Sequence, residues 1–430
     1  MPPATSFFEA SSDSSGVHVM VDFREVEIIA DGERRMKALV ADEPEEQGPK
    51  PALILLHEIF GINNAMRDTA HLFAEEGYLV VVPDLFWRLE EGVDLGYDEA
   101  GVAKAMDLFS RFDMEQGTKD IAATVAASRT LDNSNGKAAV LGLCLGGTLA
   151  VASATLEGVD ASVAYYPVML DKLELAGGLQ CPLVMHFGSD DPYCPPEALT
   201  AIRDRFAGQD VKIFAYPGAS HAFYNRDRAE FRKAAAQVSH TRSLELLRDR
   251  VGPKYDLEAL WEQHAYYEFG LRDADKTIST MVAEPYVNHV PTLSGGVGRK
   301  QLHHFYKHFF VDVHPDDMEI TLVSRTVGVD RVVDEMVATF THDRLIEYLL
   351  PGISPTGRRI SVTTVAVVSF RGSRLYHEHI HYDMGTLLAQ AGLIDPKQLP
   401  VAGAEAAEKV LDPARHPSNE MLPSWYPPEG

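Results

Sequence analysis

One cysteine of this 430-residue chain stands in a pattern that activates a nucleophile. The sequence Gly-Leu-Cys-Leu-Gly at 142–146 places Cys144 between two glycines, after an apolar run and before a helical stretch. This predicts a sharp strand-to-helix turn that only small flanking residues permit. The N-terminus of the following helix would favour a thiolate. The alternative is a buried structural cysteine beside a glycine-rich turn.

The two partners that such a nucleophile needs follow later in the chain. An acid is available at Asp190 or Asp191, after the apolar run 183–187, and His221 follows the run 211–215. The order nucleophile, acid, histidine is that of hydrolases built on an α/β sheet. The acid would orient the imidazole, which would hold the thiolate and later activate water. Spacing leaves both aspartates open, and a turn aspartate or a loop histidine is the alternative for each residue taken singly.

Apolar strands separated by helices must position these residues. Strands are predicted at 51–57, 78–83, 138–143, 161–165, 183–187 and 211–215, and helices at 66–76, 119–130 and about 228–249. Strands that are apolar on both faces, with helices between them, predict a mostly parallel sheet covered on both sides, an α/β fold.

A second unit of α+β type is predicted after Gly252 and Pro253. Its helices are expected at about 256–271, 273–282 and 298–310, and its long strands at 318–327, 332–341, 360–370 and 375–382. The predicted organisation is a flexible arm at 1–16, a first domain at 17–252, a second at 256–395, and an extended Pro-rich tail at 396–430 that wraps over a neighbouring surface.

Three further motifs accompany the cysteine: Leu-Leu-His-Glu-Ile-Phe-Gly at 55–61, Val-Pro-Asp-Leu-Phe at 82–86 and Phe-Asp-Met-Glu-Gln-Gly at 112–117. With the cysteine motif they resemble the dienelactone hydrolase (carboxymethylenebutenolidase-like) family over about residues 17–250. The resemblance implies an α/β-hydrolase fold with Cys144 as nucleophile and His221 as base. It also implies Asp191 as the acid, because Asp-x-x-x-Pro matches 191–195.

The same resemblance assigns roles to the segment after the first predicted strand. It implies that Glu58 takes the thiol proton when substrate arrives, and that the backbone N–H groups of Ile59 and Leu145 form the oxyanion hole. A carboxylate near a thiol can collect its proton and release the nucleophile. A surface ion pair between Glu58 and Arg67 is the alternative.

The chain departs from the family at the two positions that bind the carboxylate of the substrate. The resemblance implies a carboxylate-bearing substrate clamped by two arginines, but Val102 and Asn225 stand at those positions. Arg88 or Arg226 could replace the clamp, and Trp87 and Asn225 are further candidates for substrate binding. The difference predicts a neutral ester or lactone, or a bulkier acid.

Ten of the 17 histidines lie between Gln263 and Asp383, which raises the question of a metal site. His304 and His308 share a helical face, but Phe305 rather than a glutamate follows His304, so the His-Glu-x-x-His motif of zincin metalloproteases is absent. Histidines 377, 379 and 381 alternate along one strand face, and such neighbours rarely converge on one ion. We therefore expect no metal and no cofactor.

Residues 256–395 resemble the SnoaL-like polyketide cyclases of the nuclear-transport-factor-like fold. The motifs are Tyr-Val-Asn-His-Val-Pro at 286–291, Gly-Val-Gly-Arg-Lys-Gln-Leu-His-His-Phe at 296–305 and His-Ile-His-Tyr-Asp-Met-Gly at 379–385. The resemblance implies a cone-shaped α+β domain with His289, His381 and Asp383 as candidate pocket residues. The unit could catalyse an isomerisation or cyclisation coupled to hydrolysis, or be a non-catalytic dimerisation module or lid.

Composition limits the classes of binding partner and the cellular compartments that the protein could have. The net charge of −24 argues against nucleic acid, and no apolar run is long enough to span a membrane. Three cysteines and the lack of a secretory signal predict a reducing, cytoplasmic compartment. The expected protein is a cytoplasmic homodimer that hydrolyses a small-molecule ester or lactone through a thioester acyl-enzyme.

Overall fold

The computed structural model describes residues 22–43, 48–175 and 177–425, so the expected arm at 1–16 lies outside the described residues. Its first part is an eight-stranded sheet in the order β1-β2-β4-β3-β5-β6-β7-β8. All neighbouring strands from β4 to β8 in this order pair in parallel. At the other edge, β1 pairs antiparallel with β2, and β2 pairs antiparallel with β4. The strands are β1 Asp22–Asp31, β2 Arg34–Asp42, β3 Lys50–Leu56, β4 Leu79–Pro83, β5 Ser134–Leu143, β6 Ala161–Tyr165, β7 Leu183–Gly188 and β8 Val211–Tyr216.

Helices cover both faces of this sheet. They are α1 Asn64–Glu75, α2 Glu99–Arg111, α3 Met114–Ser128, α4 Leu145–Ser153, α5 Pro196–Arg205 and α6 Lys233–Arg250. Along β3, Leu53 and Leu55 pack into one core with α1 and α6, whereas Ile54 and Leu56 pack into the core on the other face. This alternation explains why the central strands are apolar throughout, and it confirms the predicted α/β-hydrolase class.

The second part is a six-stranded sheet in the order β10-β9-β14-β13-β12-β11. Its strands are β9 Met281–His289, β10 Ser294–Val297, β11 Glu319–Val327, β12 Arg331–Thr341, β13 Arg359–Arg371 and β14 Arg374–Tyr382. Its helices are α7 Leu257–Ala265, α8 Ala274–Ser279, α9 Gly298–Phe305, α10 Met384–Ala391 and α11 Glu405–Leu411. Two of them, α7 and α9, continue into π-helical turns at Tyr266–Gly270 and Tyr306–Phe310.

Two predictions for the second part are wrong. The helix expected over 273–282 ends at Ser279, and β9 begins at Met281, because here the backbone pairs with Leu375 of β14. The tail expected to be extended contains α11, which packs against β13. The tail therefore covers a surface of its own chain.

The two parts meet around a buried carboxylate, Glu76, at the end of α1. Its oxygens accept from Arg248 at 2.5 Å and from the backbone N–H of Gly372 at 3.2 Å. Arg371 pairs with the neighbouring Glu75 at 2.5 Å. The second sheet is therefore joined to the first by hydrogen-bonded charges that are shielded from water. Within the described residues, no helix has the length and apolarity to cross a membrane.

Candidate active site

The turn after β5 holds Cys144 in a strained backbone conformation. Its φ of 56° and ψ of −112° lie where L-residues rarely occur, and such outliers cluster at functional sites. A Cβ at Gly142 would lie 2.0 Å from the Gly146 carbonyl oxygen, and a Cβ at Gly146 would lie 2.2 Å from that of Leu56. Both glycines are thus required for the turn. The half-buried thiol stands at the carboxyl edge of the sheet, at the N-terminus of α4.

An imidazole and a carboxylate from the ends of two other strands lie beside this thiol. His221, after β8, has its Nδ1 2.8 Å from Asp191 Oδ2, in the loop after β7. Asp191 is buried, whereas Asp190 is exposed and accepts from the Ser189 hydroxyl. Because a carboxylate only accepts, Nδ1 of His221 carries the hydrogen, and the ring's second contact is with the Cys144 thiol.

The surroundings of His221 favour its cationic form. Burial by itself lowers the pKa of His221, but hydrogen bonds to Asp191 and Cys144 outweigh it and raise the pKa to about 10. An imidazolium at neutral pH can stabilise a thiolate and can donate a proton to a leaving group.

Glu58 is a buried carboxylate held by an amide rather than by a cation. Asn225 Nδ2 donates to Glu58 Oε2 at 2.8 Å and to the Tyr97 hydroxyl at 2.9 Å. Arg67, the alternative partner in the sequence, pairs instead with Asp94 at 2.8 Å. One Glu58 oxygen is therefore fixed by a neutral donor.

Sequence reasoning missed Tyr166, whose hydroxyl lies near both acidic groups of this site. Burial, followed by the charges of Glu58 and Cys144, holds the pKa of Tyr166 well above its usual value. Its ring packs edge-on against His221 at 4.9 Å, and its hydroxyl makes no well-directed hydrogen bond within the described residues. Tyr166 directly follows β6, and the carboxyl ends of parallel strands are where such sheets bind ligands. That position is the signal that could have identified it.

A buried histidine orients the peptide that precedes Ile59. The backbone N–H of Leu85 donates to His57 Nε2 at 3.1 Å, so Nδ1 carries the ring hydrogen and donates to the Glu58 carbonyl at 2.5 Å. Burial lowers the pKa of His57 to about 4, which keeps the ring neutral. In a trans peptide the C=O and N–H point in opposite directions, so the Ile59 N–H points away from the ring. Leu145 is the first residue of α4, where backbone N–H groups lack a partner within the helix.

The structure contradicts the expected substrate role of Arg88 and Trp87. Arg88 donates to both oxygens of Asp120, at 2.9 and 2.8 Å, and Trp87 donates its indole N–H to the same carboxylate at 2.9 Å. Trp87 is buried in a cluster formed with β1, β2 and β4, and Cys144 belongs to a different cluster. Both side chains are therefore engaged as partners of a buried aspartate.

The other two candidates for substrate binding are Asn225 and Arg226. Asn225 lies in the site, but its two amide hydrogens are used by Glu58 and Tyr97, so it has none left for a substrate carboxylate. Arg226 is exposed and lines a groove between the two parts of the chain.

Comparisons with known proteins identify the family to which each part of the chain is similar. Residues 36–251 match the model of the dienelactone hydrolase family, and residues 263–378 match that of the SnoaL-like domain. The chain belongs to the dienelactone hydrolase family. It is an ester or lactone hydrolase of that family, and its second part is SnoaL-like, so both expected resemblances are confirmed.

Similar proteins cover the dienelactone hydrolase part. Carboxymethylenebutenolidase 1 of Cupriavidus pinatubonensis is 34% identical over 200 residues, which are 46% of this chain and 85% of that protein. The carboxymethylenebutenolidase of Pseudomonas putida is 33% identical over 204 residues, 47% of this chain and 86% of that protein. A dienelactone hydrolase-like promiscuous phosphotriesterase from metagenomic libraries has a TM-score of 0.47 and 21% identity, and covers 54% of this chain and all of its own.

The SnoaL-like part encloses a largely apolar cavity of about 480 Å³. His289 lines it, and burial lowers the pKa of His289 to about 4. The expectation for His381 and Asp383 is wrong. On β14 it is Glu378, Ile380 and Tyr382 that line the cavity, so strand alternation turns His381 outward. Asp383 is exposed and caps α10, accepting from the backbone N–H of Thr386.

Three residues that line or adjoin this cavity have the types and spacing of metal ligands: His264, Glu268 and Glu378. Burial lowers the pKa of His264, but the charges of Glu268 and Glu378 raise it to about 10. Sequence reasoning missed this group, because its members come from α7, the π-helical turn after it, and β14.

Proposed function

We propose that the dienelactone hydrolase part is a cysteine hydrolase, with Cys144 as nucleophile, His221 as acid and base, and Asp191 as the carboxylate that orients the imidazole. The observation that carries the proposal is the 2.8 Å hydrogen bond between His221 and Asp191, with the ring also in contact with a thiol on a strained turn. This is the geometry that nucleophile activation requires.

The first half of the reaction forms a thioester. The thiol proton passes to Glu58, and the sulfur of Cys144 attacks the substrate carbonyl carbon. The tetrahedral intermediate collapses, the carbon–oxygen bond breaks, and the imidazolium of His221 gives its proton to the leaving alkoxide. The proton held at neutral pH by His221 supports this step, since a lactone or ester oxygen must be protonated as it leaves.

The second half restores the enzyme. Neutral His221 removes a proton from water, the resulting hydroxide attacks the thioester, and the thiolate leaves. The proton on Glu58 then returns to the sulfur of Cys144. One water is consumed, and one acid and one alcohol are released.

The oxyanion hole consists, in this proposal, of the backbone N–H groups of Ile59 and Leu145. Preorganised donors of this kind are a large contribution to acyl transfer. The Ile59 N–H is preorganised by the hydrogen bond from His57 to the Glu58 carbonyl, and the Leu145 N–H by its place in the first turn of α4.

We propose a substrate without a carboxylate close to the scissile bond. The family's two clamp positions hold Val102, which is exposed on α2, and Asn225, whose amide is already used. Arg88 is paired with Asp120. These contacts favour a neutral ester or lactone.

The SnoaL-like part is proposed to be a chamber of its own rather than a lid over Cys144. The side chains that line its cavity all belong to residues 261–382 of the described chain. A homodimer and a cytoplasmic location remain predictions, which analytical ultracentrifugation of the full chain and cell fractionation can test.

The deciding experiment is a panel of neutral and carboxylated esters and lactones assayed with the wild type and Cys144→Ala. The matched control is Cys181→Ala, since Cys181 is also a free cysteine but is buried in an apolar core, with its thiol against the Ala154 carbonyl. We expect Cys144→Ala to lose at least about 10⁴-fold in kcat and Cys181→Ala to stay active. Mass spectrometry of a slow ester should find the acyl group on Cys144. An active Cys144→Ala variant would refute the mechanism, and a preference for carboxylated substrates would refute the substrate class.

A further inference from the structure

Two carboxylates and an imidazole are buried together beside the cavity of the SnoaL-like part. His264 is 0% exposed, and Glu268 and Glu378 are each 3% exposed. The Nε2 atom of His264 lies 3.2 Å from Glu268 Oε1 and 3.2 Å from Glu378 Oε1. Burying two carboxylates is costly unless positive charge or hydrogen-bond donors compensate them.

The tautomer of His264 follows from its second neighbour. The Thr280 hydroxyl donates to the Thr277 carbonyl at 2.7 Å and so has no hydrogen left for the ring. Nδ1 of His264, 2.6 Å from that hydroxyl, must therefore carry a hydrogen and donate it. With one hydrogen fixed on Nδ1, Nε2 is the atom that faces the carboxylates; it carries a proton when no ion is bound, and a bound ion would replace that proton. A histidine oriented in this way by a hydrogen bond from its other nitrogen is typical of metal ligands.

A proton on Nε2 of His264 gives a well-directed hydrogen bond to only one of the two carboxylates. Its one N–H is directed at Glu268 Oε1, and Glu378 Oε1 then has no hydrogen-bond partner within the described residues. The hydroxyl of Tyr306, 1% exposed, is near both carboxylates and also makes no well-directed hydrogen bond there. The Tyr306 hydroxyl and the carboxylates interact without a well-directed hydrogen bond, so Glu378 Oε1 and this hydroxyl are two buried polar atoms that a bound ion would compensate.

We propose that His264 Nε2, Glu268 Oε1 and Glu378 Oε1 bind a divalent transition-metal ion that faces the cavity. A tetrahedral ion with bonds of about 2.0 Å places its ligand atoms about 3.3 Å apart, which matches the two 3.2 Å separations. The ion's two positive charges balance the two carboxylates. One imidazole and two carboxylates suit zinc and iron better than calcium or magnesium.

The backbone supports the same assignment. Glu268 lies in the π-helical turn after α7, and Tyr306 begins the one after α9; such turns occur frequently at functional sites. Glu268, Glu378 and Tyr306 line the cavity, so the ion's open position faces a space of about 480 Å³. The matching ligand class is a small, mostly apolar molecule with an oxygen that the ion can bind.

The test uses the full chain, stripped with a chelator and titrated with Co²⁺ and Zn²⁺. We expect one equivalent of Co²⁺ to give the intense visible bands of a low-coordinate site, and Zn²⁺ to displace it. Glu378→Gln and His264→Gln should abolish the bands. Thr280→Val should weaken binding about 10–100-fold, because it removes only the partner of Nδ1.

Matched controls address the other histidines. His304 and His308 form an exposed pair with ring centroids 4.7 Å apart, and His303 pairs with Asp275 at the surface. Their glutamine variants should leave the bands unchanged.

Two results would overturn the proposal. One is the lack of a stoichiometric site in the wild type, which would mean that His264 holds a proton instead. The other is Co²⁺ binding that survives in Glu378→Gln but is lost when His304 and His308 are replaced by glutamine. Glu378→Gln removes a buried charge and keeps the shape, so it is the variant expected to fold; circular dichroism checks this. Ester hydrolysis at Cys144 should not change in any of these variants, so the two proposals fail independently.

Discussion

Substitution of His57 separates the two hydrogen bonds that this ring makes. Asparagine places an amide N–H near the position of Nδ1, so His57→Asn keeps a donor for the Glu58 carbonyl and loses the acceptor for the Leu85 N–H. Glutamine reaches the position of Nε2, so His57→Gln keeps that acceptor and loses the donor. The first variant tests stability, and the second tests the orientation of the Ile59 N–H.

The magnitudes follow from these contacts. A neutral hydrogen bond contributes about 1 kcal/mol. Its loss should therefore lower the ratio of correctly oriented to misoriented Glu58–Ile59 peptide at least about fivefold. Complete loss of one oxyanion donor costs about 10²–10³ in kcat, which is the upper bound for His57→Gln. The Michaelis constant should change little, because the donor acts in the transition state. His57→Asn should instead lose about 1–3 kcal/mol of unfolding free energy through the unpaired Leu85 N–H, with kcat nearly unchanged.

The assay combines steady-state kinetics with chemical denaturation, and His186 provides the matched control. His186 is equally buried, bonds to Tyr216 at 2.8 Å and to Ser243 at 3.0 Å, and burial likewise lowers its pKa to about 3. His186→Gln should therefore cost stability without a specific loss of kcat. Equal effects of His57→Gln and His57→Asn on kcat would refute the orienting role.

Three further predictions concern single groups. Cys144→Gly should be inactive yet more stable than Cys144→Ala by about 1 kcal/mol in denaturation, because glycine accepts the φ of 56°. Glu58→Gln should lower kcat at neutral pH, and a pH–rate profile should show the loss shrinking above about pH 8.5, where a free thiol ionises unaided. The pKa of His314 is lowered by burial to about 3, below its unfolded value, so stability from this group is lost as pH falls from about 6.5 to 3. His314→Phe should remove up to about 1.4 kcal/mol per pH unit of that dependence, measured by denaturation at several pH values.

Patterns local in the sequence predicted most of the hydrolase fold. The strands β3, β4, β6 and β7 and the second half of β5 are mostly apolar and buried along their whole length, and the cysteine turn needs glycines at fixed positions, so these features are visible without a structure. The helix α2 was not predicted, since it buries only Gly101, Ala105 and Leu108.

Features that depend on distant contacts could not be predicted. The substrate role expected for Arg88 failed because Asp120, on α3, binds its guanidinium. His264 and Glu378 are 114 positions apart in the numbering and meet only when β14 lies against α7. Tyr166 has no motif, and only its place at the end of β6 marks it.

The helix α1 connects the two parts of the molecule. Asn63 caps its start and bonds to Tyr97, which holds Asn225 and, through it, Glu58. Its other end carries Glu75 and Glu76, which bind Arg371 and the backbone of the SnoaL-like part. A helix of 12 residues spans about 18 Å, so the hydrolytic site and the interface are the two ends of one rigid element. The SnoaL-like part is therefore fixed to the frame that positions Glu58, although its cavity has walls of its own.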